Sequence, residues 1–272
     1  VDYLSALSVS YGVTGGSESG PVAAGGANGL PTVQANLDKG VWKAHPFAVA
    51  LRVMFIDMQK ANFIGRSLDS LLQDGVRLTY DKHMDANVYV GLADYGTTGL
   101  VNNPDVTETT VANGAKGTAT WATKTADEIL ADINSAISAV WESAEHDMMA
   151  IPNHILLPYE QYLYIMNTKV TDLATDSIMD YVMKNNIAAK LGGSELFIGA
   201  TAYCKGAGTG STDRMVVYVN QERYLQMEEL VPLTRAMSQP NVSQFAYDTA
   251  YAANISEVEL MAPQTMGYFD GI

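Results

Sequence analysis

Residues 80–106 read YDKHMDANVYVGLADYGTTGLVNNPDV, a helical pattern that runs into a glycine-rich turn and an Asn-Asn-Pro stop. Upstream of this stretch and within it, apolar residues recur at a spacing of four, which predicts one face of a continuous helix: Leu68, Leu72, Val76, Tyr80, Met84 and Val88, with Leu71 beside them. A helix of about 25 residues would span roughly 37 Å at 1.5 Å per residue. Gly96 and Gly99 end the pattern, and Pro104 forbids its continuation.

Two glycines inside the helical pattern, Gly75 and Gly91, count against an unbroken helix, because each costs about 1 kcal/mol relative to alanine. The stretch carries no nucleophile, metal cluster or phosphate loop. A long surface helix joined to a rigid turn therefore favours a structural subunit over an enzyme.

The composition indicates a surface that is covered by partners. Of the 272 residues, 47% are hydrophobic and only 17% are charged, below the usual quarter for a soluble domain. The chain is long enough to bury a core as one large domain or two small ones. A monomer with a surface rich in Ser, Thr, Asn and Gly remains an alternative explanation for the low charge.

The net charge of −14 argues against a module that grips nucleic acid, since such binding needs Lys and Arg to displace counterions. The single cysteine, Cys204, allows no intrachain disulfide and favours a reducing compartment. The sequence contains no run of about 18 apolar residues, so it predicts no membrane-spanning helix. The chain begins at Val1, which either processing or an omitted start would explain.

The first 40 residues are rich in glycine and poor in large apolar groups, so they cannot form a core alone. We expect an extended arm and loop, with a disordered leader as the alternative. The glycines and prolines of this segment are Gly12, Gly15, Gly16, Gly20, Pro21, Gly25, Gly26, Gly29, Pro31 and Gly40. Residues 41–64 follow, with strand-like alternation at residues 47–53 and a helical pattern at residues 55–63.

Several local signals predict the remaining elements. Ser67 can cap the long helix, and residues 107–124 read as a connection with strand character. Thr125 and Glu128 form a capping box, which opens a helix with an apolar side: Ile129, Ile133, Ile137, Val140 and Trp141. From Pro152 the pattern is α/β, with strands at 154–157, 195–198 and 215–219. One helix is expected to have Pro158 as its first residue, and another to span 176–183. The tail alternates around Val258 and Leu260.

Groups that could carry chemistry are few. The loop GAGTGST at residues 206–212 has the glycines of a phosphate cradle, but it lacks the lysine and the following helix that a P-loop needs. We expect a hinge or a hairpin turn. The histidines, His45, His83, His146 and His154, show no ligand spacing. Cys204 is expected to be a small buried hydrophobe. The sequence therefore predicts no catalytic residues, no cofactor and no metal.

Three stretches together resemble the major capsid proteins of tailed bacteriophages: DANVYVGLADYGTTGLVNNPDV, WATKTADEILADINSAI and IPNHILLPYEQY. The fold of that family is named after phage HK-ninety-seven and is shared with encapsulin nanocompartments. The family's turn after its long "spine" helix matches six residues, which form the candidate site: Gly96, Gly99, Leu100, Asn102, Pro104 and Val106. A second motif, at the start of the next helix, matches Trp121, Asp127 to Leu130 and Asp132. The loop before Asp213-Arg214-Met215 is also similar, and the resemblance covers residues 65–272.

The resemblance implies an α+β fold with four parts. An N-terminal arm and extended loop would span residues 1–66, and a peripheral domain with the spine helix would span 67–145. An axial α/β domain would span 146–242, and residues 243–272 would return as strands to the peripheral domain. Some family members crosslink subunits between Lys and Asn. Lys39 and Lys43 lie near the expected loop, but no partner can be matched, so that chemistry is not carried over.

The function implied is that of a major capsid protein, which assembles with itself into hexamers and pentamers of an icosahedral or prolate shell around phage double-stranded DNA. It would reside in the virion capsid after assembly in the bacterial host cytoplasm. An acidic subunit would contact packaged DNA only weakly, and no membrane partner is expected. Scaffold, portal and decoration proteins are further candidate partners that the sequence does not identify. Two alternatives stay open: an encapsulin-type shell, and a small-molecule α/β enzyme that uses the GAGTGST loop.

Overall fold

A computed structural model describes residues 2–12, 32–64, 68–171, 176–191 and 195–272. The chain divides into two compact units, Val1–Lys43 and Ala44–Ile272. The predicted cap at Ser67 and the glycines between residues 13 and 31 lie outside the described residues. Each unit is taken by itself.

The first unit is a two-stranded antiparallel ribbon. Strand β1 (Asp2–Gly12) pairs with β2 (Thr32–Val41) from Asp2 opposite Val41 to Gly12 opposite Thr32. The register shifts by one residue between Ala6 and Ser8. The described part of the predicted arm and loop is thus extended, and two strands without a third are marginally stable alone.

The second unit contains the remaining elements in a mixed α+β order. They are β3 (Ala44–Met54), α1 (Phe55–Ile64), α2 (Leu68–Tyr89), β4 (Thr107–Thr110), α3 (Ala126–Ser143), β5 (His154–Leu157), α4 (Tyr159–Asn167), α5 (Ile178–Asn185), α6 (Ile187–Leu191), β6 (Phe197–Ala200), β7 (Arg214–Tyr218), β8 (Leu225–Gln226), β9 (Glu229–Asn241), β10 (Ala246–Ser256), β11 (Glu259–Leu260) and β12 (Met266–Asp270). Short 3-10 turns connect several of them.

A five-stranded mixed sheet forms the main core. Its order is β4-β12-β7-β5-β6, with β12 parallel to β4 and antiparallel to β7, and with β5 antiparallel to β7 and parallel to β6. Alternate residues of β7 face opposite sides: Met215 and Val217 join a core with α3, whereas Val216 and Tyr218 join a second core. The sheet is therefore buried on both faces, as its apolar strands require.

Helix α3 covers the first face of this sheet, and it begins where the sequence predicts. The Thr125 hydroxyl accepts a hydrogen bond from the amide of Glu128, and the Glu128 carboxylate accepts one from the amide of Thr125, which confirms the capping box. The predicted apolar side of α3 is buried, with Trp141 only half-buried at its end.

A three-stranded antiparallel sheet of order β3-β10-β9 is the second sheet of the unit. Its strands are 10 residues or longer, whereas those of the main sheet have four or five. Pro46 lies on β3, and Pro232 and Pro240 lie on β9. Both strands are at the sheet edges, where proline is tolerated.

Helix α2 is the predicted long helix, and the structure confirms its apolar stripe. Val76 and Tyr80 are buried, and Leu72, Met84 and Val88 are half-buried. The side chains of Leu68 and Leu71 lie outside the described part. The helix has 22 residues and passes through Gly75 without a break. It stops at Tyr89, earlier than Gly96 and Gly99, because Gly91 leaves the helical region with φ +76°.

Other boundaries differ by one to three residues. Pro158 was expected as the first residue of α4 and instead occupies the cap position before it. The helix predicted at residues 176–183 begins at Ile178, since Ser177 caps it in a second capping box with Asp180. The sequence did not predict β9, whose residues are almost all exposed and so lack a burial pattern. Strand β10 lies in the segment 243–272, which the resemblance implies to consist of strands.

Strand pairing crosses the expected segment boundaries. Strand β12, from the segment expected to return to the peripheral domain, pairs with β7 in the main sheet. Strand β3, from the segment expected to be arm and loop, pairs with β10. Helix α3, expected in the peripheral part, packs on the main sheet. The two sheets are therefore each assembled from distant parts of the sequence.

Candidate functional site: the turn after the long helix and the assembly surfaces

The six motif residues lie in a turn that folds back onto the end of α2. The amides of Leu100 and Val101 donate to the carbonyls of Val88 and Tyr89 at 2.9 and 3.0 Å. The last carbonyls of a helix have no partner within it, so these bonds complete the helix end. Gly96 closes the intervening 3-10 turn with φ +65°, a conformation that suits glycine.

Gly99 and Asn102 hold this turn against the helix. A Cβ atom on Gly99 would lie 2.4–2.5 Å from backbone atoms of Tyr89 and Val90, so only glycine fits. The Asn102 side chain accepts from the Gly99 amide and donates to the Val90 carbonyl, both at 2.8 Å. One amide side chain therefore bridges the turn and the helix end.

The other motif residues attach the turn to the main sheet. Leu100 and Val106 are buried in the second core with Tyr268 of β12. The Tyr268 hydroxyl donates to the Leu100 carbonyl and accepts from the Asn103 amide, both at 2.9 Å. Pro104 is exposed. The structure thus brings all six predicted residues into one turn between α2 and the sheet.

Arg214 is a neighbouring group that sequence reasoning missed as a site residue. Its guanidinium donates to both oxygens of Asp270 at 2.8 and 3.0 Å, to Glu108 at 2.7 Å and to the Val101 carbonyl at 2.8 Å. It also lies 4.3 Å from the centre of the Tyr268 ring. Because Arg214 and Asp270 are both buried, this pair joins β7, β12, β4 and the motif turn inside the protein.

Hydrogen bonds within this cluster favour the ionised form of Asp270. Burial raises the pKa of the Asp270 carboxyl, but the hydrogen bonds from Arg214 and Thr209 lower it by more, so the pKa lies below its usual range. Asp270 is therefore an ionised partner of Arg214 at neutral pH. The only sequence signal was an Asp-Arg pair, Asp213-Arg214, beside a glycine-rich loop.

The GAGTGST loop is held by carboxylates, which explains why it is no phosphate cradle. The Thr209 amide donates to Asp270 at 2.8 Å, and the Gly206 amide donates to Asp213 at 3.0 Å. Gly208 approaches Asp270 so closely that an added Cβ would lie 2.7 Å from its carboxyl carbon. Negative oxygens thus occupy the positions that a phosphate would need. The loop turns at Gly206 and Gly210, which both have positive φ. The expected hairpin is wrong, because β6 and β7 are not neighbours in the sheet.

The second sequence motif also forms a buried cluster. The Trp121 ring nitrogen donates to Asp132 at 3.0 Å, and the Lys124 ammonium contacts the same oxygen at 2.5 Å. Lys124 also donates to the Ala112 carbonyl at 2.7 Å. Trp121 is fully buried, and burial raises the pKa of the Asp132 carboxyl despite both donors. The motif therefore stabilises the start of α3. Nothing in the sequence indicated that Lys124 would pair with Asp132.

Among the remaining candidates for chemistry, His45 and His83 line one pocket together with Asp94. Cys204 is fully buried, and burial raises its thiol pKa to about 12. Burial lowers the pKa of His154, whose ring packs between Phe197 and Tyr218. Within the described ranges, no three His, Cys, Asp or Glu residues come together as metal ligands. Across the same ranges, each helix is too short or too polar to cross a lipid bilayer.

Helix α4 shows a surface suited to contact with a partner. Its inner side is buried through Gln161 and Ile165. Its outer side, defined here as Tyr159, Leu163 and Met166 at helical spacing, is 51–54% exposed. A helix that is apolar on both sides is usually buried on both, so this outer side of α4 is a candidate assembly surface.

Comparison with known proteins gives a family and a fold. A family described as "Major capsid protein" matches residues 20–272. The capsid of Myoviridae phage XM1 matches with TM-score 0.77 and 15% identity, over 100% of this chain and 85% of that one. The capsid of an empty GTA particle matches with TM-score 0.61 and 14% identity, over 99% and 84%. A virus-like particle from Pyrococcus furiosus matches with TM-score 0.54 and 10% identity, over 88% and 81%.

No curated protein sequence matches the chain. At the identities found, the likeness to solved structures shows the fold alone. It confirms the α+β, HK-ninety-seven-like fold expected from the sequence.

Proposed function

Because the chain belongs to the family of major capsid proteins, we propose that it forms the hexamers and pentamers of an icosahedral or prolate phage shell around double-stranded DNA. The chain is a structural capsid protein and not an enzyme. It assembles with copies of itself, and its place is the virion capsid. Assembly in the bacterial host cytoplasm is part of the proposal.

The observation that carries the proposal for ring formation is the outer side of α4. Leu163 and its two helical neighbours are half-exposed on a helix whose other side is buried. Strand β6, next to α4, is an edge strand whose Phe197 is 54% exposed. An exposed apolar helix side next to an edge strand supports contact with another copy at this place.

The division into arm and loop (1–66), peripheral domain (67–145), axial domain (146–242) and return strands (243–272) remains a proposal. We assign the axial role to the five-stranded sheet and the peripheral role to the three-stranded sheet with α2. On this assignment each domain is defined by its sheet, and the strands of each sheet come from more than one of the four segments. The ribbon β1-β2 serves as the arm and loop, gaining its order from a neighbouring copy.

The motif turn is proposed to act as a rigid joint between the long helix and the axial sheet. Asn102 and Gly99 fasten it to α2, whereas Leu100 and Val106 fasten it to the second core. Rigid subunits make repeated contacts with the same geometry, which a closed shell requires.

Contact with packaged DNA is proposed to be weak, because the net charge of −14 gives no counterion release on binding. Scaffold, portal and decoration proteins remain candidate partners. An encapsulin-type shell, with protein contents, remains the alternative.

Electron microscopy of the purified chain tests the proposal. We expect rings or closed particles from the wild type, and their loss in Leu163→Ser. The matched control is Leu78→Ser on α2, where a leucine is similarly exposed, and this variant should still form rings. A wild type that stays a 29 kDa monomer under all salt and crowding conditions would contradict the proposal. Particles that enclose protein and no DNA in the native host would favour the encapsulin alternative.

A further inference from the structure

A pocket of about 390 Å³ lies between the start of β3, the C-terminal half of α2 and the turn that follows α2. Its volume is in the range of small-molecule sites. Five of its lining residues carry rings or charge, and it is here termed the ring-lined pocket: His45, Phe47, His83, Asp94 and Tyr95. All five are half-buried or exposed, so the pocket is open to solvent.

Four rings form the walls of the ring-lined pocket as two contacting pairs. The ring centres of His45 and Tyr95 are 4.5 Å apart, and those of Phe47 and His83 are 4.9 Å apart. Tyr95 is 58% exposed, so a ligand can reach its ring. The faces of aromatic rings carry partial negative charge and attract cations.

The charge of the pocket also favours a cation. With His counted as neutral, Asp94 is the only lining residue that carries a formal charge, and the chain as a whole carries −14. Although His45, His83 and Asp94 share the pocket, no three His, Cys, Asp or Glu of the described residues form a group that could hold a metal ion. An organic cation therefore suits this pocket better than a metal ion.

His45 provides a polar group without a partner. Its Nε2 atom is shielded from solvent and accepts or donates no hydrogen bond within the described part of the chain. Such a nitrogen costs free energy, which a hydrogen-bond donor that reaches it would recover. An ammonium group has donors only. It therefore suits both the Asp94 carboxylate and the His45 ring in the tautomer that is protonated at Nδ1.

The turn after α2 holds the pocket in shape. Gly91 has φ +76°, and a Cβ atom added to it would lie 2.6 Å from the Thr97 carbonyl oxygen. The Leu92 amide donates to the Thr97 hydroxyl at 2.8 Å. Because this wall is already ordered, a ligand loses less free energy to ordering the protein when it binds.

We propose that the ring-lined pocket binds a small alkylammonium ion. The ammonium group lies between Asp94 and His45, and the alkyl chain packs against the rings of Phe47 and Tyr95. This inference goes beyond the proposed function, since the site needs no second copy of the chain.

Nuclear magnetic resonance of the histidine rings tests the site, because the chain has four histidines and two of them lie in the pocket. The unassembled chain is titrated with n-butylamine at constant pH and about 0.15 M salt, which screens weak surface attraction. The ring signals of His45 and His83 should shift and saturate, whereas those of His146 and His154 should stay in place. Equal shifts of all four, or none, would overturn the proposal. A shift with butyrate and not with butylamine would overturn the choice of a cation.

Two matched variants test the charge. Asp94→Asn should weaken the binding of butylamine about fivefold, because it removes the carboxylate at the pocket. Asp105→Asn removes the same charge from an exposed residue outside the pocket and should change the affinity less than about twofold. Equal affinities in the two variants would overturn the proposal. Asp94 is exposed, so its replacement leaves the core intact.

A third variant tests the imidazole nitrogen. His45→Phe keeps a ring against Tyr95 but removes Nε2, so the affinity for butylamine should fall about tenfold. Unchanged affinity would show that the rings alone bind the ligand and would overturn the role of His45. Equilibrium dialysis of assembled particles should give the same affinity as the unassembled chain. A loss of binding in particles would show that a neighbouring copy fills the pocket, and it would overturn a free amine as the occupant.

Discussion

Arg214 of β7 and Asp270 of β12 are direct partners across the sheet, and their side chains form a buried two-point ion pair at 2.8 and 3.0 Å. The Arg214 guanidinium also donates a hydrogen bond to the Val101 carbonyl of the motif turn at 2.8 Å. Arg214 therefore ties the joint after the long helix to the middle of the main sheet, as Tyr268 does through its hydroxyl.

Replacement of Asp270 by Asn should destabilise the chain by about 3–5 kcal/mol, because a buried arginine loses its main counter-charge. Urea unfolding followed by circular dichroism measures the change. Asp248→Asn is the matched control, since the Arg52–Asp248 pair has the same two-point geometry at the surface. Its effect should be small because solvent screens that pair. Equal losses in both variants would contradict a special role for the buried pair.

Acid should weaken the same pair. The pKa of Asp270 is lower in the folded chain than its ordinary value near 3.8. The stability contributed by this carboxylate is thus fully present above that ordinary value, and it is lost as the pH falls through the lower folded pKa. Urea midpoints measured from pH 7 to pH 2.5 should fall below about pH 4 more steeply for wild type than for Asp270→Asn. Parallel curves would show that Asp270 does not titrate as described.

Substitution of Gly99 by Ala should destabilise the chain by about 1–3 kcal/mol, because the new methyl group meets backbone atoms of Tyr89 and Val90 that cannot move freely. Gly75→Ala, inside α2, is the control. Its Cβ would meet nothing within 4 Å, so it should stabilise α2 by about 0.5–1 kcal/mol. Thermal unfolding of the two variants should therefore shift in opposite directions.

Lys124→Met should cost about 3–5 kcal/mol, because it leaves Asp132 buried without its cation. The double variant Lys124→Met with Asp132→Leu should recover a large part of this loss, since no buried charge is then left unpaired. A double-mutant cycle by urea unfolding measures the recovery. Additive losses would indicate that packing around Trp121, and not the charge pair, accounts for the lost stability of Lys124→Met.

Much of the helical structure could be predicted because its signals are local. The spacing of Val76, Tyr80 and Met84 predicted α2, and the Thr125–Glu128 capping box predicted the start of α3. The glycines of the motif turn could also be recognised, since positive φ at Gly96 and close approach at Gly99 are requirements of the local backbone. Such features depend on neighbours that are at most about ten residues away in the sequence.

The long edge strand β9 could not be predicted in the same way. Its residues are almost all exposed, and Pro232 and Pro240 argue against a strand unless it lies at a sheet edge. The Arg214 cluster was also missed, since Glu108 and Asp270 lie 106 and 56 residues away from Arg214 in the chain. No pattern in a single sequence shows which charged residues, far apart in the chain, will be buried together in the folded protein.

The amino-acid sequence alone determined the helical periodicity, the caps and the glycine turn, because each of these depends on short-range sterics and hydrogen bonds. The family resemblance was also found in the sequence alone, in short matching stretches. Only the tertiary structure decided how the segments combine. Strand β12 completes the sheet of β7, and β3 completes the sheet of β10. These pairings arise when distant strands bury their apolar faces together, and that gain in free energy depends on the whole chain and not on any one stretch.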